Sequence, residues 1–240
     1  MTQPFGTLYG LGVGPGDPDL LTIKAAKILN SVDAVFTASS SKNEYSLAYQ
    51  IASPHLKSGI KAENLDFPMT DKESELLPAW VKNATTIAEV LKSGKSAAFL
   101  TLGDPLTYST YSYIIPVLKN ILTEVNIVTI PAVTSYQLAA AKLNRPLCIN
   151  KESLTIVSGT GEENGYHNFV SLLDSSDNLV IMKSPKDRGK VFKLLKEKNL
   201  ESKIAVCSQL GLPEEKITQG VPEDLTNNLS YFTLILVNKR

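Results

Sequence analysis

The chain has 240 residues, of which 24 are basic and 24 acidic, so its formal net charge is zero. Proteins that bind nucleic acids usually have a basic surface. The balanced charge and the presence of only three arginines therefore argue against a nucleic-acid partner. No apolar run approaches the roughly 20 residues of a membrane span, and the amino terminus lacks a signal peptide's basic start and apolar stretch. We therefore expect a soluble cytoplasmic protein with neither a membrane nor a nucleic-acid partner.

The cysteines and histidines indicate no metal site. Cys148 and Cys207 have no metal-ligand spacing around them, and we expect both to be reduced thiols. His55 and His167 lie far apart along the chain, so we interpret both as surface or structural residues.

Strand and helix patterns alternate along the first half of the chain. The predicted strands are residues 7–13, 32–38, 97–102 and 126–130, and the predicted helices are residues 19–29, 46–56, 72–92, 111–122 and 136–143. The helix at 72–92 has the clearest periodicity, with apolar residues three and four apart and Gly94 at the position of a C-terminal cap.

The pattern breaks at Asn144-Arg145-Pro146, and a second alternation follows. Its predicted strands are residues 154–158, 179–183, 204–208 and 231–237, its helix is 186–198, and residues 159–165 are interpreted as an exposed loop. Alternation of this kind is typical of an α/β fold. We expect two α/β lobes, residues 1–130 and 131–240, with a ligand in the cleft between them.

The most informative segment is Gly103-Asp104-Pro105, which follows the apolar strand at 97–102. Open α/β folds bind ligands at the carboxyl ends of their strands. Gly103 allows the backbone to approach a ligand, Asp104 offers an acceptor and Pro105 fixes the turn. The alternative reading is that Asp104 serves only to form the turn.

Two further turns follow predicted strands. The first contains Gly12, Gly14 and Gly16 at every second position, a spacing that differs from the dinucleotide-binding fingerprint. The other is Pro131-Ala132-Val133-Thr134-Ser135, whose Thr134 or Ser135 could simply cap the helix that follows.

Together these three turns resemble the tetrapyrrole methyltransferases, and their order and spacing cover most of the chain. Within that family the chain is most similar to the precorrin-2 / cobalt-factor II C-20 methyltransferases of cobalamin biosynthesis. The segments that carry this closer resemblance are 6–12, 65–69 and 99–110. The resemblance implies a two-lobed methyltransferase that uses S-adenosylmethionine, methylates a tetrapyrrole and forms a homodimer.

The resemblance also implies a set of cofactor contacts, while it names no catalytic residue. The expected contacts are Pro15, Gly103, Asp104, Thr107, Ser109, Thr110, Thr134, Ser135, Met182, Lys183, Leu210 and Gly211. Asp104 is the expected partner of the cofactor's ammonium group. For Met182 and Lys183 the alternatives are an ordinary core position and a solvent-exposed position, respectively.

One position departs from the family pattern, and three other functions remain open. Ala132 stands where the family has glycine, and we expect a backbone conformation there that alanine tolerates. The other functions are methylation at a different tetrapyrrole position, binding of a tetrapyrrole or nucleotide without turnover, and modification of a nucleic acid. Whether the substrate carries cobalt also stays open.

Overall fold

The computed structural model describes residues 5–39, 46–70, 72–159, 163–183, 188–222 and 230–239, with side chains for all of these except 163–168 and 188. Its contacts divide the chain into two compact units, Met1–Thr134 and Ser135–Arg240. The predicted domain boundary between residues 130 and 131 stays a prediction, because a compact unit need not fold by itself.

The first unit contains a parallel five-stranded sheet. Its strands are β1 (Thr7–Gly12), β2 (Ala34–Ser39), β3 (Ala62–Asp66), β4 (Ala97–Thr101) and β5 (Asn126–Ile130), in the spatial order β3-β2-β4-β1-β5. Every pairing is parallel, and Leu8 of β1 lies beside Ala97 on one side and Ile127 on the other. The carboxyl ends of all these strands therefore share one edge.

Helices cover both faces of this sheet. They are α1 (Ile23–Leu29), α2 (Leu47–Ala52), α3 (Glu73–Lys92) and α4 (Tyr111–Ile121). Phe99 lies in the core cluster that α3 and α4 form on one face, and Leu100 in the cluster that α1 and α2 form on the other. Burial on two faces explains why β4 is apolar at nearly every position.

Several elements of the first unit differ from the sequence prediction. The helix predicted at 46–56 ends at Ala52 and is followed by a 3-10 turn, Ser53–His55. The helix predicted at 19–29 begins only at Ile23, because Pro18–Leu20 forms a 3-10 turn and the hydroxyl of Thr22 accepts the N–H of Ala25. Strand β3 was not predicted. Leu65 is its one buried residue, so the strand lacks the alternation that reveals a half-buried strand.

The second unit contains a mixed sheet. Its strands are β6 (Leu154–Ser158), β7 (Asn178–Met182), β8 (Ile204–Ser208), β9 (Lys216–Gln219) and β10 (Thr233–Asn238), in the order β6-β7-β10-β8-β9. Strands β6 and β7 are parallel, whereas β10 runs antiparallel to both β7 and β8. Strands β7 and β8 consequently point the same way and end at the same edge.

The helices of the second unit are α5 (Ser135–Leu143), α6 (Glu163–Ser175) and α7 (Arg188–Glu197). Helix α6 and strand β9 were not predicted. The loop predicted at 159–165 is wrong from Glu163 onward, where α6 begins, and its residues 160–162 lie outside the described residues. Within the described part of the chain, no helix combines the length and the apolar composition needed to cross a membrane.

Candidate active site

Three turns meet at the carboxyl edge of the first unit's sheet. Strand β1 lies between β4 and β5, so the turns that follow these three strands are neighbours. The N–H of Val13 donates to the carbonyl of Thr101 at 2.9 Å, and the N–H of Gly103 donates to the carbonyl of Gly14 at 2.8 Å. The first two turns are therefore joined by backbone hydrogen bonds.

The carboxylate of Asp104 joins the second turn to the third. Its Oδ2 accepts the N–H of Ala132 at 3.1 Å, and its Oδ1 accepts the N–H of Leu106 at 2.9 Å. The hydroxyl of Thr107 donates to the same Oδ1 at 3.4 Å. Asp104 thus has the turn-forming role that the sequence left open, and its role toward the cofactor stays a prediction.

Close backbone contact at this edge depends on glycine. A Cβ built on Gly12 would lie 2.5 Å from the Cβ of Ala132, 2.6 Å from the carbonyl oxygen of Gly103 and 2.9 Å from Cδ of Pro105. Gly14 and Gly103 have φ angles of 83° and 68°, in the left-handed region that favours glycine. A Cβ on Gly103 would meet no atom within 4 Å, so the backbone there faces open space that a ligand can enter.

Ala132 fits its position without strain. It does not lie in the left-handed region, which confirms the expectation that its backbone tolerates a side chain. Its methyl group occupies the space that Gly12 leaves free. The departure from the family pattern is therefore accommodated by the glycine of the first turn.

The remaining predicted contacts of the first unit belong to the three turns or directly follow them. Pro15 is buried in the first turn, and the hydroxyl of Ser109 accepts the N–H of Tyr111 at 3.2 Å. Thr110 precedes α4 without forming a side-chain cap. Thr134 is buried with 6% of its surface exposed. The hydroxyls of this set give the edge several polar groups for a small ligand.

The ring of Tyr111 packs against β1 and β5. The sequence did not identify this residue. A Cβ on Gly10 would lie 2.1 Å from Cζ of Tyr111, and the phenol oxygen lies 3.1 Å from Oγ1 of Thr129. Burial raises the pKa of Tyr111, while hydrogen bonds with Thr129 and the backbone of Gly10 act in the opposite direction. The ring stays neutral and anchors the start of α4 against β1 and β5.

The other predicted contacts belong to the second unit. Met182 ends β7 and Lys183 follows it with a φ of 58°, its ammonium 5.8 Å from the centre of the Tyr231 ring. Leu210 is buried and Gly211 has a φ of 76°, just after β8. These residues follow strands that end at one edge of the second sheet. Ser135 is the first residue of α5.

Glu215 organises the turn after β8, and no sequence signal distinguished it from neighbouring Glu214. Its Oε2 accepts the N–H of Gly211 at 2.7 Å, and its Oε1 lies 3.1 Å from the ammonium of Lys142. The Gly211 bond is the largest cause that lowers the pKa of Glu215, and Lys142 lowers it further. The carboxylate is therefore ionised at neutral pH.

These groups suit ligand binding and positioning. Among the described residues, no three His, Cys, Asp or Glu side chains are grouped so that they could hold a metal ion. Burial raises the pKa of the Cys207 thiol to about 12, which makes it a poor nucleophile. The two edges provide close backbone approach, hydroxyl groups and two oriented carboxylates, those of Asp104 and Glu215.

Two proteins of known sequence are similar to this chain over nearly their whole length. It is 32% identical over 236 residues to the cobalt-precorrin-2 C(20)-methyltransferase of Salmonella typhimurium, covering 98% of this chain and 97% of that protein. It is 34% identical over 218 residues to a probable cobalt-precorrin-2 C(20)-methyltransferase of Methanocaldococcus jannaschii, covering 91% and 89%.

Solved structures share the fold. A cobalt precorrin-4 methyltransferase matches with a TM-score of 0.74 at 24% identity, over 97% of this chain and 94% of that one. A uroporphyrin-III C-methyltransferase from Thermus thermophilus, complexed with S-adenosyl homocysteine, matches with a TM-score of 0.66 at 20% identity, over 98% of both chains.

The family comparison covers most of the chain. Residues 7–226 match the model of the Tetrapyrrole (Corrin/Porphyrin) Methylases. All three turns that carried the resemblance lie within this span. The chain therefore belongs to the tetrapyrrole methylase family.

Proposed function

We propose that the protein transfers a methyl group from S-adenosylmethionine to C-20 of a precorrin-2-type tetrapyrrole during cobalamin biosynthesis. The observation that carries the proposal is the identity of 32% and 34% to two C(20)-methyltransferases over at least 89% of each chain. Both of those relatives are named for the cobalt-bearing substrate, so we propose the cobalt-bearing form as the substrate.

The residues of the first unit fit the methionine part of the cofactor. Gly103 faces open space, and the hydroxyls of Thr107, Ser109 and Thr110 follow it in the same turn. A carboxylate has about four acceptor positions. Oδ2 of Asp104 accepts the N–H of Ala132, which leaves this oxygen a second position for the cofactor's ammonium. Pro15 and Thr134 complete this part of the proposed site.

The proposed contacts of the second unit are Ser135, Met182, Lys183, Leu210 and Gly211. Lys183 and Gly211 both have positive φ angles directly after strand ends. Sharp turns of this kind expose backbone groups, which can bind polar atoms of a ligand without a dedicated side chain. We propose that these residues face the adenosine part of the cofactor.

The chemistry asks mainly for positioning. S-adenosylmethionine supplies, when bound, a methyl group on a sulfonium, which is already a strong electrophile. The new bond forms between that methyl carbon and the electron-rich C-20, the carbon–sulfur electron pair stays on sulfur, and the proton of C-20 leaves afterwards. Holding two reactants in line can contribute about 7–11 kcal/mol at best. The turns joined through Asp104 provide a fixed frame for this alignment.

The decisive experiment is product analysis under anaerobic conditions. Purified protein is incubated with methyl-¹³C-labelled S-adenosylmethionine and, in parallel, with cobalt-bearing and metal-free substrate. We expect mass spectrometry to show one added methyl group on the cobalt-bearing form and NMR to place the label at C-20. Methylation of the metal-free form alone would overturn the cobalt assignment, and a label at another carbon would overturn the C-20 assignment.

A binding module without turnover is distinguished in the same experiment. S-adenosylhomocysteine binding by calorimetry, combined with no methyl transfer to either substrate, would overturn the proposed activity. Within the same proposal, the protein acts in the cytoplasm. It acts there as a homodimer, which is the oligomeric state that the family resemblance implies. Analytical ultracentrifugation tests the oligomeric state, with a monomer across the micromolar range as the contradicting result.

A further inference from the structure

We propose that Glu215 is a positioning residue that holds the turn of Leu210 and Gly211 in the shape that receives the cofactor, with Lys142 orienting its carboxylate. This inference rests on the proposed function, because it takes Leu210 and Gly211 to contact S-adenosylmethionine. Neither Glu215 nor Lys142 was among the residues that the sequence placed in the site.

The turn after β8 adopts an uncommon backbone shape. Gln209 has a φ of 51° and Gly211 a φ of 76°, and the left-handed region is unfavourable for a residue with a Cβ such as Gln209. The N–H of Gln209 donates to the carbonyl of Phe232 at 2.9 Å, and the N–H of Leu212 donates to that of Gln209 at 3.0 Å. These two bonds hold Gln209 and Leu212, but neither of them involves the peptide group between Leu210 and Gly211. Another group must fix the orientation of that peptide.

Glu215 is that group. Its Oε2 accepts the N–H of Gly211 at 2.7 Å, a short hydrogen bond to a charged acceptor. A trans peptide is planar, with its N–H and C=O on opposite sides, and no cis peptide occurs among the described residues. Holding the Gly211 N–H against Glu215 therefore turns the Leu210 carbonyl to the opposite side of the peptide plane.

Lys142 connects this turn to a second predicted contact segment. Its ammonium lies 3.1 Å from Oε1 of Glu215, so each carboxylate oxygen is engaged by a different partner. Lys142 belongs to α5, whose first residue is Ser135. One carboxylate thus links the turn of Leu210 and Gly211 to the helix that begins at Ser135. The side chains of Lys142 and Glu215 are 45% and 23% exposed, so water screens much of the attraction between their charges.

Glu214 provides a matched control, because it has the same side chain, precedes Glu215 directly and is exposed. The test compares the wild type with Glu215→Ala, Glu215→Gln, Lys142→Met and Glu214→Ala. Calorimetry gives the Kd for S-adenosylhomocysteine, and circular dichroism checks that each variant is folded. Should Glu215→Ala not fold, Glu215→Gln and Lys142→Met carry the test.

We expect Glu215→Ala to raise the Kd about tenfold, the effect of losing one charge-assisted hydrogen bond. Glu215→Gln keeps an acceptor and Lys142→Met keeps the carboxylate, so each should raise the Kd about two- to threefold. Glu214→Ala should leave it unchanged. In turnover assays the KM for S-adenosylmethionine should rise with kcat nearly constant, whereas a merely structural role would lower the active fraction and leave the Kd unchanged.

A direct readout needs no ligand. The amide resonance of Gly211 in ¹⁵N-labelled protein should move in both Glu215 variants and stay in place in Glu214→Ala. Wild-type Kd in a folded Glu215→Ala would overturn the positioning role, as would an unmoved Gly211 resonance. If the wild type itself fails to bind S-adenosylhomocysteine, the proposed function fails instead, and the Gly211 resonance still decides whether Glu215 holds the turn.

Discussion

Oδ2 of Asp104 and the backbone N–H of Ala132 lie 3.1 Å apart, which joins the turn after β4 to the turn after β5. The other oxygen of the same carboxylate accepts the N–H of Leu106 at 2.9 Å. Separating these two turns would leave the N–H of Ala132 without this acceptor. One side chain therefore sets the geometry of this edge before any ligand arrives.

Replacing Asp104 should affect stability and binding separately. Asp104→Ala removes the acceptor for the N–H groups of Leu106 and Ala132, so we expect a loss of about 1–3 kcal/mol in the free energy of unfolding. It should also weaken S-adenosylhomocysteine binding. Urea denaturation and calorimetry measure the two effects.

Asp104→Asn distinguishes the carboxylate's charge from its geometry. The amide keeps one acceptor oxygen, so stability should fall between those of the wild type and Asp104→Ala. If the charge pairs with the cofactor's ammonium, binding should be as weak as in Asp104→Ala. Wild-type affinity in Asp104→Ala would remove Asp104 from the cofactor site, whatever happens to stability.

A methyl group at Gly12 should disturb the same edge sterically. Gly12→Ala places a Cβ 2.6 Å from the carbonyl oxygen of Gly103 and 2.5 Å from the Cβ of Ala132. Backbone atoms cannot move aside cheaply, so we expect a loss of about 1–3 kcal/mol in stability together with weaker cofactor binding. Urea denaturation and calorimetry again report both quantities.

Gly189 is the matched control for this substitution. It lies in α7, and a Cβ there meets no atom within 4 Å. Gly189→Ala should therefore stabilise the protein by about 0.4–1 kcal/mol, because alanine restricts the unfolded chain and favours helix. A Gly12→Ala variant as stable as the wild type would contradict the close packing of the turns.

The thiol of Cys207 should make stability decline in alkaline solution. Burial raises its pKa from 9.0 to about 12, and the charge of Glu215 adds to the shift. Above pH 9.0 the unfolded chain loses this proton while the folded protein keeps it until about pH 12, so the free energy of unfolding falls as pH rises through this window.

Urea denaturation on both sides of pH 9.0 tests this dependence. Cys207→Ala should decline less steeply than the wild type, whereas Cys148→Ala should follow the wild type because Cys148 is exposed. Iodoacetamide should label Cys148 in the folded protein and Cys207 only after unfolding. Rapid labelling of Cys207 in the native state would show that the thiol is not sequestered.

The sequence was most informative where elements are buried on a regular face. Strand β4 and helix α3 were predicted to within one residue at each end, since apolar side chains repeat along both. Strands β3 and β9 were missed because each lies at the edge of its sheet and is largely uncovered. An edge strand is defined by hydrogen bonds to its neighbour, which leave no periodic signal in the side chains.

In the candidate site, too, some features could be predicted from the sequence and others could not. The glycine and proline residues identified the three turns. They thereby identified the backbone at the carboxyl edge of the first unit's sheet. Asp104 was recognised as a site residue, but its pairing with Ala132 and the pairing of Glu215 with Lys142 were not, because both span long stretches of chain. Such pairings follow from strand order, and strand order was not predicted. Tyr111 was missed for this reason too, since its contact at Gly10 depends on α4 packing over β1.

The interior position of β1, between β4 and β5, has a consequence for biosynthesis. Both neighbouring strands lie much later in the sequence, since Leu8 pairs with Ala97 of β4 and with Ile127 of β5. They are therefore synthesised well after β1. On the ribosome, the first strand of the nascent chain must wait without a sheet partner until β4 emerges, and non-local pairing of this kind slows folding. A truncated product that ends before residue 97 would contain β1 but neither of the strands that pair with it. Its exposed apolar side chains would make it a substrate for chaperones and proteases.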